Sequence, residues 1–194
     1  MAALDAAEAL LADDSAAMSA VYNYRASWGP FPLTARDNLR IGLGHARASG
    51  RTDLLIGPLI NLGICERAIG DLDQARRHLE AAMRHSRAIS FRRLYAYALC
   101  GLVMIEVRRG DLDRAESLAE EAVALTRLLA DATYRAEADL RRAEVHLARG
   151  EQDAARALLA PLEGQAVSWL LSNDDFDAAR AQCCLLYTSP SPRD

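Results

Sequence analysis

The chain of 194 residues is 51% apolar and 26% charged, the balance of an ordinary folded domain, and its net charge of −4 argues against a nucleic-acid surface as its main purpose. All 23 basic residues are arginine, so phosphate-loop lysines, Schiff-base lysines and lysine general bases are excluded. No apolar run reaches the ~18 residues of a membrane span, and the acidic start MAALDAAEALLADD lacks the basic and apolar regions of a signal peptide. Four cysteines (Cys65, Cys100, Cys183, Cys184) show no zinc or redox spacing, which together with the N-terminus predicts a reduced, cytoplasmic chain.

Residues 2–12 read as a short amphipathic helix, and a second helix is expected from Ser15, as its N-cap, to about Trp28. The breaker cluster Gly29-Pro30-Phe31-Pro32 follows, then a helix from Thr34 to Ala48 closed by Gly50. From there the chain is periodic. GDLDQAR at Gly70 returns as GDLDRAE at Gly110 and as GEQDAAR at Gly150, a fixed period of 40 residues. The period predicts helix pairs: Thr52 to Ile69 and Asp71 to Ala88; Ser90 or Phe91 to Arg109 and Asp111 to Leu129; Thr133 to Arg149 and a last helix from Glu151, interrupted at Pro161.

Each recurrent stretch is the chemistry of a helix–turn–helix junction. A glycine after a helix takes the left-handed conformation without a Cβ penalty. Arginines precede it (Arg67; Arg108, Arg109; Arg149), suiting the negative end of a helix dipole, and acids follow it (Asp71, Asp73; Asp111, Asp113; Glu151, Asp153), suiting the positive end of the next. Ala75, Ala115 and Ala155 are small enough for close helix approach. The first helix of each pair, as in residues 94–105, is apolar nearly all round. The second places Leu112, Ala115, Leu118, Ala119, Ala122 and Thr126 on one stripe, with Asp113, Arg114, Glu116, Glu120 and Glu121 opposite. Inner helices and surface helices of a stacked array differ in this way.

Few residues suggest chemistry. His78 and His85 lie two turns apart on one face, and His45 is repeat-equivalent to His85, but metal sites pair histidines more closely with a third ligand nearby, so a solvated outer face is expected. Glu66 and Glu106 are repeat-equivalent carboxylates; pairing with Arg67 or with the arginines ending the same helices is expected rather than acid–base work. Nucleophile triads, zinc-protease motifs and phosphate loops do not occur, and neither enzyme activity, a catalytic residue, a cofactor nor a metal is expected.

The repeats resemble those of tetratricopeptide-repeat (TPR) proteins. Leu62-Gly63 matches that family's Leu-Gly pair, Ala75 its helix-B alanine, Ala82 and Ala122 the later small position and Leu79 an intermediate apolar one; Val103 and Ala143 depart from the glycine, and Glu66, Glu106 and His146 from the aromatic. The long unit and its Ala/Arg/Leu-rich texture are similar to the repeats of large bacterial LuxR/MalT-type transcriptional regulators. The resemblance covers residues 34–160 well. It implies an all-α, right-handed solenoid of antiparallel helix pairs over residues 1–183, clearest over 52–160, within a longer protein, serving as a scaffold for a protein or peptide partner or alternatively as a small-effector module. It also implies a concave groove lined by Gly57, Ile60, Ile64, Arg67, then Tyr97, Cys100, Met104, Arg108, then Glu137, Leu140, Glu144 and Leu147. An apolar floor with charged edges suits an extended or helical peptide. Ile60, Cys100 and Met104 read as core somewhat more readily than as groove, and Tyr97 and Arg108 as packing as readily as binding. Neither direct nucleic-acid nor membrane binding is expected of this segment. The ending CLLYTSPSPRD, from Cys184 to Asp194, resembles a translated sequencing adaptor and is expected to be an artefactual tail. Asp175 to Arg180 echo the junction motif too early for a full repeat, as an irregular short one would.

Overall fold

The computed structural model describes residues 2–27, 32–129 and 131–162. Among these the chain is all-helical: α1 (Ala2–Leu10), α2 (Ser15–Ser27), α3 (Pro32–Ala48), α4 (Asp53–Ile69), α5 (Leu72–Ala88), α6 (Arg92–Arg109), α7 (Leu112–Arg127), α8 (Ala132–Ala148) and α9 (Gln152–Leu159), the last followed by a 3-10 turn at Ala160–Leu162. The expected short repeat and the tail from Cys184 lie outside the described residues.

The three junctions form as local chemistry dictates. Gly70, Gly110 and Gly150 take φ of 100°, 79° and 78°. In each, the amide of the residue after the glycine reaches back to the carbonyl of Glu66, Glu106 or His146, at 2.9, 3.0 and 2.8 Å. The following helix is then capped from outside: the Asp71 carboxylate accepts from the Gln74 amide and that of Asp111 from the Arg114 amide, whereas Glu151 makes no side-chain cap bond. At α2 the cap is Asp14 rather than the expected Ser15, since the Asp14 carboxylate accepts from the amides of Ala16 and Ala17. A carboxylate satisfies two orphan donors at once, so the helix proper begins one residue earlier, at Ser15, than a serine cap would set it.

The chain divides into two units, Met1–Gly101 and Leu102–Asp194, with the division inside α6. In the first, α2 packs on α3, α3 on α4 and α4 on α5, and α2 also touches α4. Leu39, Ile56, Leu62, Leu79 and Leu99 are fully buried there. Leu79 of α5 takes the place a side chain would need at Gly63 of α4 and at Gly101 of α6. The amino-terminal α1 is tied to α2 through Arg25, which binds Asp5 at 2.9 Å and Glu8 at 2.8 Å, and through the Tyr22 hydroxyl, which donates to Glu8. That bond and burial raise the Tyr22 pKa above its ordinary value.

In the second unit α7 packs on α8 and α8 on α9. One apolar cluster joins Val103, Ala115, Ala119 and Val145; another joins Ala136, Leu140, Ala143, Leu147, Ala155, Leu159 and Leu162. The surface stripe expected for α7 is buried at Ala115, Ala119, Ala122 and Thr126 and half-buried at Leu112 and Leu118. Arg149 crosses to the α7 start, holding Asp113 and Glu116 at 2.7 Å each. Glu116 therefore does not stand free on a solvent face.

Candidate functional site

The first helices of the pairs carry equivalent positions that the fold uses differently. A helix returns to the same face every three or four residues, so positions 57, 61, 64 of α4, 97, 101, 104, 108 of α6 and 137, 141, 144 of α8 form corresponding stripes in the 40-residue register. On α4 the stripe reads Gly57, Asn61, Ile64, all half-buried. Asn61 donates to the Asn23 side-chain carbonyl at 2.9 Å, bridging α4 to α2. On α6 Tyr97, Gly101 and Met104 are half-buried and Arg108 is exposed. These positions carry an aromatic ring, a thioether and a cation on one side of one helix. Arg67 of α4 is half-buried, one position off the stripe.

The other groove positions suggested by the sequence are used differently. Ile60 and Cys100 are 2% and 1% exposed and belong to the core, as do Leu140 and Leu147. Glu137 and Glu144 both bind Arg141, at 2.8 and 2.6 Å, and Arg141 is only 1% exposed. A buried arginine flanked by two carboxylates has its own charge paired internally instead of displayed. The α8 stripe is thus closed around its own ion triad, where the same register in α6 holds half-buried Tyr97 and Met104, with Gly101 between them packed on Leu79. Sequence reasoning passed over Arg141 and Asn61. The signal was available: each is a polar residue standing in the forty-residue register opposite Gly101.

Glu66 and Glu106 are buried, and both are engaged by arginine. Glu66 accepts from Arg40 of α3 at 3.0 Å, a partner on the preceding helix and not one of the residues beside it. Glu106 lies 3.3 Å from Arg114 of α7 and 3.8 Å from Arg109, the latter an arginine ending its own helix as expected. Each pair ties the end of one helix to a neighbouring helix. The histidines of the expected outer face are partly covered. His45 stacks on Tyr22 with ring centroids 5.8 Å apart, His78 and His85 are half-buried, and burial lowers the His78 pKa. Burial likewise raises the Cys65 thiol, which disfavours the reactive thiolate. Among the described residues there is no group of three His, Cys, Asp or Glu arranged to hold a metal ion, and no helix long and apolar enough to cross a membrane.

Comparison with known proteins agrees with this geometry. Residues 54–128 and residues 136–161 each match a family model described as tetratricopeptide repeat. No curated protein matches in sequence. Among solved structures that match is the crystal structure of BtubC (BKLC) from P. vanneervenii, with a TM-score of 0.65 and 18% identity over 93% of this chain and 69% of that one, a likeness of fold. Between them the two repeat matches span more than half of the residues, on the very helices whose glycine junctions recur every forty, and the chain belongs to the tetratricopeptide-repeat proteins.

Proposed function

We propose that this TPR chain is the interaction segment of a bacterial transcriptional regulator of the LuxR/MalT type, working in the cytoplasm, and that its helix-A faces hold a peptide of a partner protein. The repeats support a protein-interaction scaffold. The observation that carries the finer reading is the α6 stripe: Tyr97 and Met104 leave part of an apolar surface uncovered beside exposed Arg108, on a helix otherwise packed on several sides. Ile64 supplies a further half-buried apolar contact on α4. Arg67 and Arg108 would meet acidic ends of the ligand, and Glu137 and Glu144, engaged by Arg141, would set the limit of the binding face rather than its floor.

Panning a random peptide library on the chain and on a Tyr97→Ala/Met104→Ala variant tests this. The wild-type chain should select a consensus and the variant should lose it while keeping its helical circular dichroism. A consensus that survives in the variant overturns the groove assignment. A thermal-shift screen of metabolites run beside it would favour the small-effector alternative if only a small molecule raises the melting temperature, since a ligand of the native state alone stabilises by mass action.

A further inference from the structure

The corner between α5 and α6 breaks the repeat pattern in four ways at once. No Asp or Glu occurs from residue 81 to residue 105, although the whole chain is acidic, and four arginines (Arg84, Arg87, Arg92, Arg93) fall in that stretch. All four are exposed. Second, α6 starts without an acid in its first turn, and Arg92 and Arg93 stand there instead. Aspartate caps α5, α7 and α8, and α4 carries Asp53 where the forty-residue register puts Arg93. Cations at the positive end of a helix dipole are repelled, not stabilised. Third, Ser90 takes φ of 57°, the left-handed conformation that Gly50 adopts at the equivalent turn with φ of 69°. A side chain there is strained. Fourth, Ile89 and Phe91 flank Ser90 and are 40% and 42% exposed.

Arg87 is fixed in place. Its guanidinium lies over the Tyr95 ring, 5.1 Å from the centroid, and donates to the Tyr95 hydroxyl. A cation already held in one geometry loses little freedom on binding. At the equivalent turn before α4, Asp53 is engaged by Arg51 at 2.7 Å, an acid for which the α5–α6 corner has no counterpart in its own sequence.

The geometry points to this corner as a second interaction surface, separate from the helix-A face, that docks an acidic segment of a partner protein carrying an apolar side chain. Carboxylates of the partner would supply the negative charge that the start of α6 lacks, and Arg84, Arg87 and Arg92 would receive them. Ile89 and Phe91 would take the apolar residue. The charge complementarity selects this occupant: every side chain in the stretch that is charged at neutral pH is an arginine, and the exposed apolar pair gives a neutral anchor between them.

The test is fluorescence anisotropy with a short labelled peptide of glutamates around a central Leu-Phe pair. Its glutamine counterpart and a labelled oligothymidine of equal charge serve as comparisons. Arg84→Glu/Arg92→Glu should weaken glutamate-peptide binding by about tenfold or more and Phe91→Ser severalfold, as loss of arginine and aromatic anchors does. Arg77→Glu/Arg156→Glu, which changes net charge equally at exposed sites elsewhere, should leave binding within about twofold. Melting temperatures of all variants establish that each is folded. Equal losses in the corner and control variants, or equal binding of the glutamine peptide, overturn the proposal. So does oligothymidine binding as tightly as the peptide and failing with the same variants, which would make the corner a nucleic-acid contact.

Discussion

A Cβ added at Gly63 would lie 2.6 Å from Leu79 Cγ and 3.2 Å from the Ala75 carbonyl oxygen, whereas at Gly101 it would meet chiefly the Leu79 methyls, at 2.8 and 3.1 Å. Backbone and a branch carbon cannot yield as terminal methyls can. Gly63→Ala should therefore destabilise by about 1–3 kcal/mol, the usual cost of overpacking. Gly101→Ala should stay within about 1 kcal/mol of the parent, because Leu79 can rotate and alanine gains helix propensity over glycine. Urea denaturation midpoints decide it, and equal costs would mean that Leu79 does not wedge the two helices as described. His78 gives a second residue-scale expectation. Burial is the main cause of its lowered pKa; Glu66 opposes the shift, while Arg40, Arg47 and Arg77 add to it. The folded chain then binds the proton less readily than the unfolded chain, so His78 contributes stability that is present above its unfolded pKa of about 6.5 and is lost as pH falls through the lower folded value. Stability measured from pH 7.5 downward should fall less steeply in His78→Gln than in the parent. Identical slopes would assign the pH dependence to other groups.

At the scale of the element, helix ends were the most readable feature and also the place of one misreading. Asp14, with two amides on its carboxylate, should cost about 1 kcal/mol when changed to alanine, in the ordinary range for an N-cap; Ser15→Ala should change stability by under about 0.5 kcal/mol. The reverse order in thermal melts would restore serine as the cap. Choosing between adjacent Asp and Ser requires knowing which residue leaves helical geometry first, and composition alone does not fix that. The glycine junctions were legible because everything they need is within six residues: a left-handed glycine, a carbonyl to receive the next amide, and an acid beyond. The Arg40–Glu66 pair was not legible because its members are 26 residues apart and meet only when α3 packs on α4. The triad around Arg141 was hidden for a different reason. Spacings of three and four along a charged helix usually mark a solvated face, and only its burial reveals that the charges neutralise one another inside. At the candidate site, where the resemblance proposed a face, packing turns Ile60 and Cys100 inward and leaves Tyr97 and Met104 partly open.

Over the whole molecule, a repeat array has no single centre, and each unit draws its core from neighbours along the chain. Ala115 shows what this means for stability. It is fully buried and shares a cluster with Val103 of α6, Ala119 of α7 and Val145 of α8, so one side chain touches the packing of three successive helices. Ala115→Leu adds volume where none is free and should cost about 1–3 kcal/mol. Glu116→Leu, the next residue, loses only its part-exposed pair with Arg149, which keeps Asp113, and should cost under about 1 kcal/mol. Hydrogen exchange distinguishes a local from a distributed effect. The amides of α7, α8 and the second half of α6 should lose protection together in Ala115→Leu, because the inserted methyls displace all three contacts, whereas those of α4 and α5, whose core is built around Leu79, should hold. Loss confined to α7 would show that neighbouring repeats do not lean on this contact. Equal tolerance of the two substitutions would instead mean that α7 buries another face, and the register that places Tyr97 and Met104 on one face of α6 would have to be redrawn with it.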